Sequence, residues 1–119
     1  MLTVGTNKTK YAIDEMVHIT LTVSNNTSEA QTYEFNTSQR YDVVVQDGRE
    51  EKWRWSNGQY FLEVLNSMTL EPGETVVYNV EWPQVTSEGQ AVGAGLYVII
   101  GTITSSNRSE QAATTILIG

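Results

Sequence analysis

Cysteine is absent from this chain, so the fold cannot rest on disulfides and no thiolate can hold a metal ion. Basic residues are also few, because seven lysines and arginines face fourteen aspartates and glutamates, for a formal net charge of -7. Such a surface has little positive charge with which to bind phosphate groups, which argues against nucleic acid or an anionic membrane as partner. The 119 residues suffice for one core, and we expect a single domain over residues 1–119.

Long apolar runs are missing as well. The longest, Leu96–Ile100, is far shorter than the roughly 20 residues needed to cross a bilayer. Met1 is followed directly by Leu2-Thr3-Val4, without the basic and apolar regions of a secretory signal. Together with the lack of cysteine, this pattern predicts a cytoplasmic protein, although a chain trimmed of its signal peptide would look the same.

Motifs for catalysis or metal binding are scarce. His18 is the only histidine, and we expect it to be exposed on a strand, without a carboxylate placed for proton transfer. The carboxylate pairs, such as Asp14-Glu15 and Glu50-Glu51, fall in expected turns, where they are usually solvated. No nucleophile elbow, zinc-protease motif or phosphate-cradling glycine loop occurs. The sequence therefore predicts a protein that is not an enzyme and needs no metal or cofactor.

β-Branched residues are abundant: 15 Thr, 13 Val and 7 Ile stand against 6 Ala and 7 Leu. Their stiff side chains favour strands. Apolar and polar residues alternate in segments such as Val17–Ser24 and Thr75–Trp82, while Asp47-Gly48 and Pro72-Gly73 predict tight turns. We therefore expect an all-β, immunoglobulin-like antiparallel β-sandwich of about seven to nine strands, in which Tyr97 occupies the corner position typical of such folds.

The expected core consists of the apolar members of the alternating runs. These are Val17, Ile19, Leu21, Val23, Phe35, Tyr41, Val43, Trp53, Trp55, Val76, Tyr78, Val80, Trp82, Tyr97 and Ile99. One segment, Gln59–Asn66, fits either a short helix or an irregular strand, because its apolar residues suit one side of a helix.

Trp53-Arg54-Trp55 is the most unusual local feature. Two tryptophans two residues apart on a strand point to the same side, where they either fill a core or stack on sugar rings. Core packing is the expected role, because a sandwich without cysteine needs large side chains inside. A carbohydrate-binding or adhesion module is the alternative function, and it would require these tryptophans to be exposed.

Several motifs together resemble the bacterial intracellular proteinase inhibitor family, over about Val17 to Thr104. They are Arg40-Tyr41-Asp42, Gln46-Asp47-Gly48, Trp53-Arg54-Trp55-Ser56, Leu70-Glu71-Pro72-Gly73-Glu74 and Gly95-Leu96-Tyr97. The absence of cysteine and of a signal is similar to the Bacillus member. The resemblance implies an immunoglobulin-like fold and inhibition of subtilisin-like serine proteases, chiefly an intracellular one. Immunoglobulin-like inhibitors of cysteine proteases carry an Asn-Pro-Thr-Thr-Gly loop, and neither proline of this chain lies in that context.

Three connections are candidates for the segment that enters the protease cleft, which binds extended backbone as an added strand. The first choice is Gln84–Gly95, because long loops in compact domains are usually functional or disordered. We expect its contact residues to be Gln90, Ala91, Val92, Gly93 and Ala94, with the Val92 side chain in an apolar pocket. The second choice is the loop that carries Tyr60 and Phe61. The third connection, Ser105–Gln111, is wholly polar.

Overall fold

The computed structural model describes residues 1–119 as ten strands without a helix. The strands are β1 (Leu2–Thr6), β2 (Lys10–Tyr11), β3 (Val17–Ser24), β4 (Gln31–Phe35), β5 (Tyr41–Asp47), β6 (Glu50–Arg54), β7 (Asn66–Leu70), β8 (Thr75–Trp82), β9 (Gly95–Ile103) and β10 (Glu110–Ile118). No helix capable of spanning a membrane is found. The all-β expectation is confirmed, with one strand more than the upper end of the predicted range, because β1 and the two-residue β2 are too short to show a clear alternation.

The strands form a sandwich of two main sheets. One sheet has the order β1-β3-β8, the other has the order β2-β10-β9-β5-β6, and β4 pairs with β7 beside them. The pairing is antiparallel except for β2, which runs parallel to β10. This departure from a wholly antiparallel sandwich arises because the chain changes sheets between β1 and β2.

The core lies between these sheets and follows the alternation along each strand. In β3 the apolar residues are buried and the polar residues between them are not. Ten of the fifteen residues predicted for the core are buried, and the other five are half-buried against it: Tyr41, Trp53, Trp55, Val76 and Tyr78. The prediction missed Tyr11 and Tyr33, which are also fully buried.

Candidate functional site

The connection between β8 and β9, residues 83–94, is folded tightly against the body of the protein. Its two arms form an isolated bridge between Val85 and Ala91. The buried Gln84 side chain donates to the carbonyls of Ala12 and Glu15 at 2.9 and 2.8 Å. These contacts make the long connection an anchored hairpin rather than a free loop.

The far end of the long connection is held by a tyrosine, as the sequence predicted for the corner position. The Tyr97 hydroxyl donates to the carbonyl oxygen of Gly93 at 2.6 Å. Val92, directly before Gly93, is 9% exposed and belongs to the hydrophobic core. The protein's own core already holds this side chain, so its predicted entry into a protease pocket would require it to leave that core.

The other four residues of the first-choice site are exposed. They are Gln90, Ala91, Gly93 and Ala94. Together with Asp47 and Lys52 they line a shallow cleft of about 320 Å³. None of the four carries a large side chain that is apolar, so this surface offers a protease mainly backbone and small groups.

The connection between β6 and β7 is built differently. It makes a turn over residues 55–58 and then runs without regular structure to 65, which settles the ambiguity of this segment. We call residues 57–65 the apolar loop. Its side chains are exposed to an unusual degree: Tyr60 is 99% exposed, Leu65 81% and Leu62 71%. Large apolar side chains grouped in this way on a surface are typical of binding sites.

A buried carboxylate fixes the start of the apolar loop. Asp42, 7% exposed, accepts hydrogen bonds from the backbone N–H of Ser56 at 3.1 Å and from its hydroxyl at 2.7 Å. Arg54 donates to the same carboxylate at 3.1 Å and also binds Glu51. Hydrogen bonds from Arg54 to Glu51 first, and to Asp42 next, raise the pKa of the Arg54 guanidinium, so it stays charged in this network.

A row of packed aromatic rings connects the loop to the body of the protein. Phe61 packs on Trp55 with ring centroids 6.0 Å apart, and Trp55 stacks on Tyr41 at 4.5 Å. Tyr41 in turn stacks on Tyr78 from the opposite sheet at 4.5 Å. Phe61 therefore points towards the body of the protein, while its neighbour Tyr60 points away from it.

Hydrogen bonds from other connections hold the second half of the apolar loop. Ser38 donates its backbone N–H to the carbonyl of Leu62 at 2.8 Å, and its hydroxyl accepts from the N–H of Leu62 at 2.8 Å. The Asn66 side chain donates to the carbonyls of Val64 and Thr37, both at 2.8 Å. Sequence reasoning missed Ser38 and Leu62, because nothing local to either residue signals a contact 24 positions away.

Between these anchors several backbone groups make no hydrogen bond within the chain. Neither Tyr60 nor Phe61 makes a backbone hydrogen bond within the chain, and neither does Gly58. Their N–H and C=O groups are therefore open to a partner strand, while the residues on either side are fixed. The arrangement is an exposed aromatic side chain on an irregular segment that is restrained at both ends.

The tryptophan pair lies against the core, as predicted. Trp53 packs near Trp82 with centroids 6.3 Å apart, and Trp55 is covered by Tyr41 on one side. Both side chains are half-buried and pack against the hydrophobic core, so they do not form a flat open face. The structure therefore lacks the exposed tryptophan platform that the carbohydrate-binding alternative requires.

His18 is exposed, as expected, and a carboxylate lies beside it in an exposed ion pair, without a hydrogen bond that would place it for proton transfer. Its Nδ1 lies 3.3 Å from a carboxylate oxygen of Glu81, and both side chains are more than half exposed. The two residues are directly opposite each other in the β3–β8 pair. Cross-strand neighbours on an outer face meet in this way. The structure contains no group of three or more His, Cys, Asp or Glu side chains able to hold a metal ion.

The family comparison identifies the kind of protein that carries this loop. A family model described as BsuPI, intracellular proteinase inhibitor, matches residues 4–108. The chain belongs to this family. The resemblance predicted from the motifs is thereby confirmed, and the family is described as one of proteinase inhibitors rather than enzymes. No curated protein sequence matches the chain at a significant level.

Solved structures similar to this chain share its fold at low sequence identity. Spo0M, a sporulation control protein from Bacillus subtilis, is 16% identical with a TM-score of 0.59, over 98% of this chain and 48% of its own. A β-glucosidase from Erythrobacter marinus is 17% identical with a TM-score of 0.55, over 100% of this chain but only 15% of its own. A CARDB domain from Pyrococcus furiosus is 15% identical with a TM-score of 0.52, over 100% of this chain and 88% of its own. These similarities show an immunoglobulin-like sandwich and nothing about the inhibitor's target.

Proposed function

We propose that this inhibitor, acting as a single domain in the cytoplasm, blocks a subtilisin-like serine protease by placing the apolar loop in the enzyme's cleft. Tyr60 occupies the main specificity pocket of the protease in this proposal. The observation that carries it is the 99% exposure of Tyr60 on a segment whose two ends are anchored. The resemblance to the family supplies the protease class, because subtilisin-like enzymes generally accept large apolar side chains in that pocket.

The energetics favour Tyr60 over the small residues of the long connection. Burying an exposed large apolar side chain stabilises a complex by roughly 1.5 to 3 kcal/mol. Tyr60 has this gain available, whereas Val92 is already buried in its own core. Aromatic anchors of this kind commonly dominate the binding energy of protein interfaces.

The free backbone supports the same proposal. A protease cleft pairs with extended backbone through main-chain hydrogen bonds, and the N–H and C=O groups of Gly58, Tyr60 and Phe61 are unpaired within the chain. The anchors on Asp42, Ser38 and Asn66 reduce the ordering entropy that binding would otherwise cost. Hydrogen bonds and stacked rings would thus take the place that disulfides hold in many small inhibitors.

The exposed residues of the long connection remain the alternative contact, and titration of a purified subtilisin-like protease distinguishes the two. We expect the wild-type protein to abolish activity at near-stoichiometric concentration and a papain-like cysteine protease to stay active. Tyr60→Asp should weaken inhibition by roughly 30-fold or more, the loss expected for a central anchor. Ala91→Asp should change it little.

The matched control is Ile13→Asp, which alters another exposed apolar residue, on the turn after β2 rather than in the apolar loop. It should inhibit as the wild type does. If Ala91→Asp loses inhibition and Tyr60→Asp keeps it, the contact belongs to the long connection. If the wild-type protein leaves the protease active at large excess, the proposed target class is wrong.

A further inference from the structure

We propose that Tyr60–Phe61 is a bond that the protease cuts and re-forms, and that Ser38 is the positioning residue that keeps the cut ends together. This inference rests on the proposed function, because it requires the apolar loop to occupy the protease cleft. It goes further by naming the bond under attack and the residue that protects it. The starting point is that consecutive residues point in opposite directions here: Tyr60 outwards and Phe61 onto Trp55.

The chemistry is that of any serine protease acting on a peptide bond. The serine hydroxyl of the enzyme attacks the carbonyl carbon of Tyr60 and the C–N bond to Phe61 breaks. The hydroxyl proton passes through the enzyme's general base to the departing nitrogen. The products of this step are an ester between the enzyme and Tyr60 and a free amine on Phe61. With an ordinary substrate the amine-bearing peptide leaves, and water then hydrolyses the ester.

In this protein the amine-bearing end cannot leave. Phe61 is held against Trp55, and Leu62 is held by two hydrogen bonds to Ser38, both 2.8 Å long. Ser38 lies in the connection between β4 and β5, so its contact does not pass through the bond that is cut. The amine of Phe61 therefore stays beside the ester, where its effective concentration far exceeds that of a free amine in solution. Attack by the amine restores the peptide bond and releases the enzyme's serine.

The acyl-bearing end is restrained independently. Ser56 is fixed to Asp42, and Gln59 donates its N–H to the carbonyl of Ser56 at 3.1 Å. A cut at Tyr60–Phe61 thus separates two segments that the sandwich continues to hold. Ser38 is the sharpest single point of this restraint, because it satisfies both backbone groups of Leu62, the second residue after the cut.

The test follows inhibition and cleavage in the same samples. A subtilisin-like protease is incubated for hours with excess wild-type protein, Ser38→Ala or Ser38→Thr, while residual activity and the denatured masses of the inhibitor are recorded. Ser24→Ala is the control, since Ser24 bonds Thr75 through its hydroxyl on an exposed part of β3. We expect lasting inhibition by wild type with a small amount of one cut, giving residues 1–60 and 61–119.

Ser38→Ala should inhibit at first within a few-fold of wild type, then be cut at the same bond about tenfold faster, as loss of one hydrogen bond predicts. Protease activity should return as the cut form accumulates. Ser38→Thr keeps the hydroxyl acceptor and should retain slow cleavage, and Ser24→Ala should match wild type. A second readout starts from the purified cut protein, which should regain the intact mass when incubated with a trace of protease.

Each result has a distinct meaning. Absence of inhibition by wild type overturns the proposed function itself. Lasting inhibition without any cut at Tyr60–Phe61 leaves that function standing and overturns this inference. Equal cleavage rates for wild type and Ser38→Ala overturn the role of Ser38. If Ser38→Ala does not fold, re-formation of the bond in the cut wild-type protein decides the matter, and its failure contradicts the proposal.

Discussion

The long connection and the apolar loop lie next to each other, but the first buries its apolar side chain and the second exposes most of its own. The two are joined by a hydrogen bond of 3.1 Å from the side chain of Asn57 to the hydroxyl of Ser87. The long connection turns Val92 into the core and leaves small residues outside, whereas the apolar loop leaves Tyr60, Leu62 and Leu65 outside. Length alone therefore does not identify a binding loop. The informative feature is an exposed apolar side chain on backbone that other parts of the fold restrain.

The largest effect on stability should come from placing a charge in each region. Val92→Asp should lower the free energy of unfolding by about 3 kcal/mol, because an unpaired carboxylate would be buried in the core. Tyr60→Asp should change it by less than about 0.5 kcal/mol, since the side chain touches little of the protein. Urea denaturation of both variants measures the contrast. Equal losses would show that the two regions do not differ as described.

Removing the anchor at the start of the apolar loop should lower the free energy of unfolding by a smaller amount. Asp42→Asn should cost about 2 kcal/mol, because the donors on Ser56 and Arg54 lose their charged acceptor. Hydrogen exchange should also become faster at the amides of Asn57 and Gln59, which donate to the carbonyls of Arg54 and Ser56. Glu51→Gln removes the exposed partner of the same arginine and should cost less than about 0.5 kcal/mol. Unchanged exchange in Asp42→Asn would mean that the loop does not depend on this anchor.

The start of β10 sharpens the comparison, because Glu110 there is a carboxylate anchor while the polar connection before it has no exposed apolar side chain. The Tyr33 hydroxyl donates to Glu110 at 2.5 Å. Burial alone would raise the pKa of Glu110, but this hydrogen bond and further donors together hold it below its ordinary value of 4.5. Burial, and next the bond to Glu110, raises the pKa of Tyr33 to about 12.

The smallest predicted effect is the pH dependence of that contact. Since the pKa of Glu110 is lowered in the folded state, the carboxylate stabilises the fold above about pH 4.5 and ceases to do so as the pH falls through the lower folded value. Tyr33→Phe should therefore lower the free energy of unfolding by about 0.5 to 1 kcal/mol at pH 7, and by less near pH 3. The loss is small because the Glu110 side chain is partly exposed to solvent. Inhibition at pH 7 should be unchanged. A cost that grows as the pH falls would contradict this assignment.

The strands were accessible from the sequence because burial repeats with period two. Val17, Ile19 and Leu21 fall on one face whatever the partner strand is, so β3 could be placed without knowing the register. The contact between His18 and Glu81 could not be predicted from the sequence, because it depends on which residues of β3 and β8 lie opposite each other. Register is set by turns and by packing across the whole sandwich.

The site was less accessible for a related reason. The spacing of Tyr60, Phe61 and Leu65 suits one side of a helix, but the stretch is irregular and is held by contacts from distant segments. Asp42 and Ser56 both lie in motifs that carry the family resemblance, yet the hydrogen bonds between them require β5 and β6 to be paired first. Alternation likewise could not show that Val92, in a loop, reaches the core.

The central claim is that Tyr60 fills the specificity pocket of the protease, and a series of substitutions at this one position tests it most directly. Inhibition constants of Tyr60→Phe, Tyr60→Leu, Tyr60→Gly and Tyr60→Asp are compared with the enzyme's kcat/KM for peptide substrates that carry the same residues before the cut. We expect the same order in both series, with the constants spanning about 100-fold or more between Tyr60→Phe and Tyr60→Asp. Inhibition constants that stay flat while the substrate series varies would contradict it.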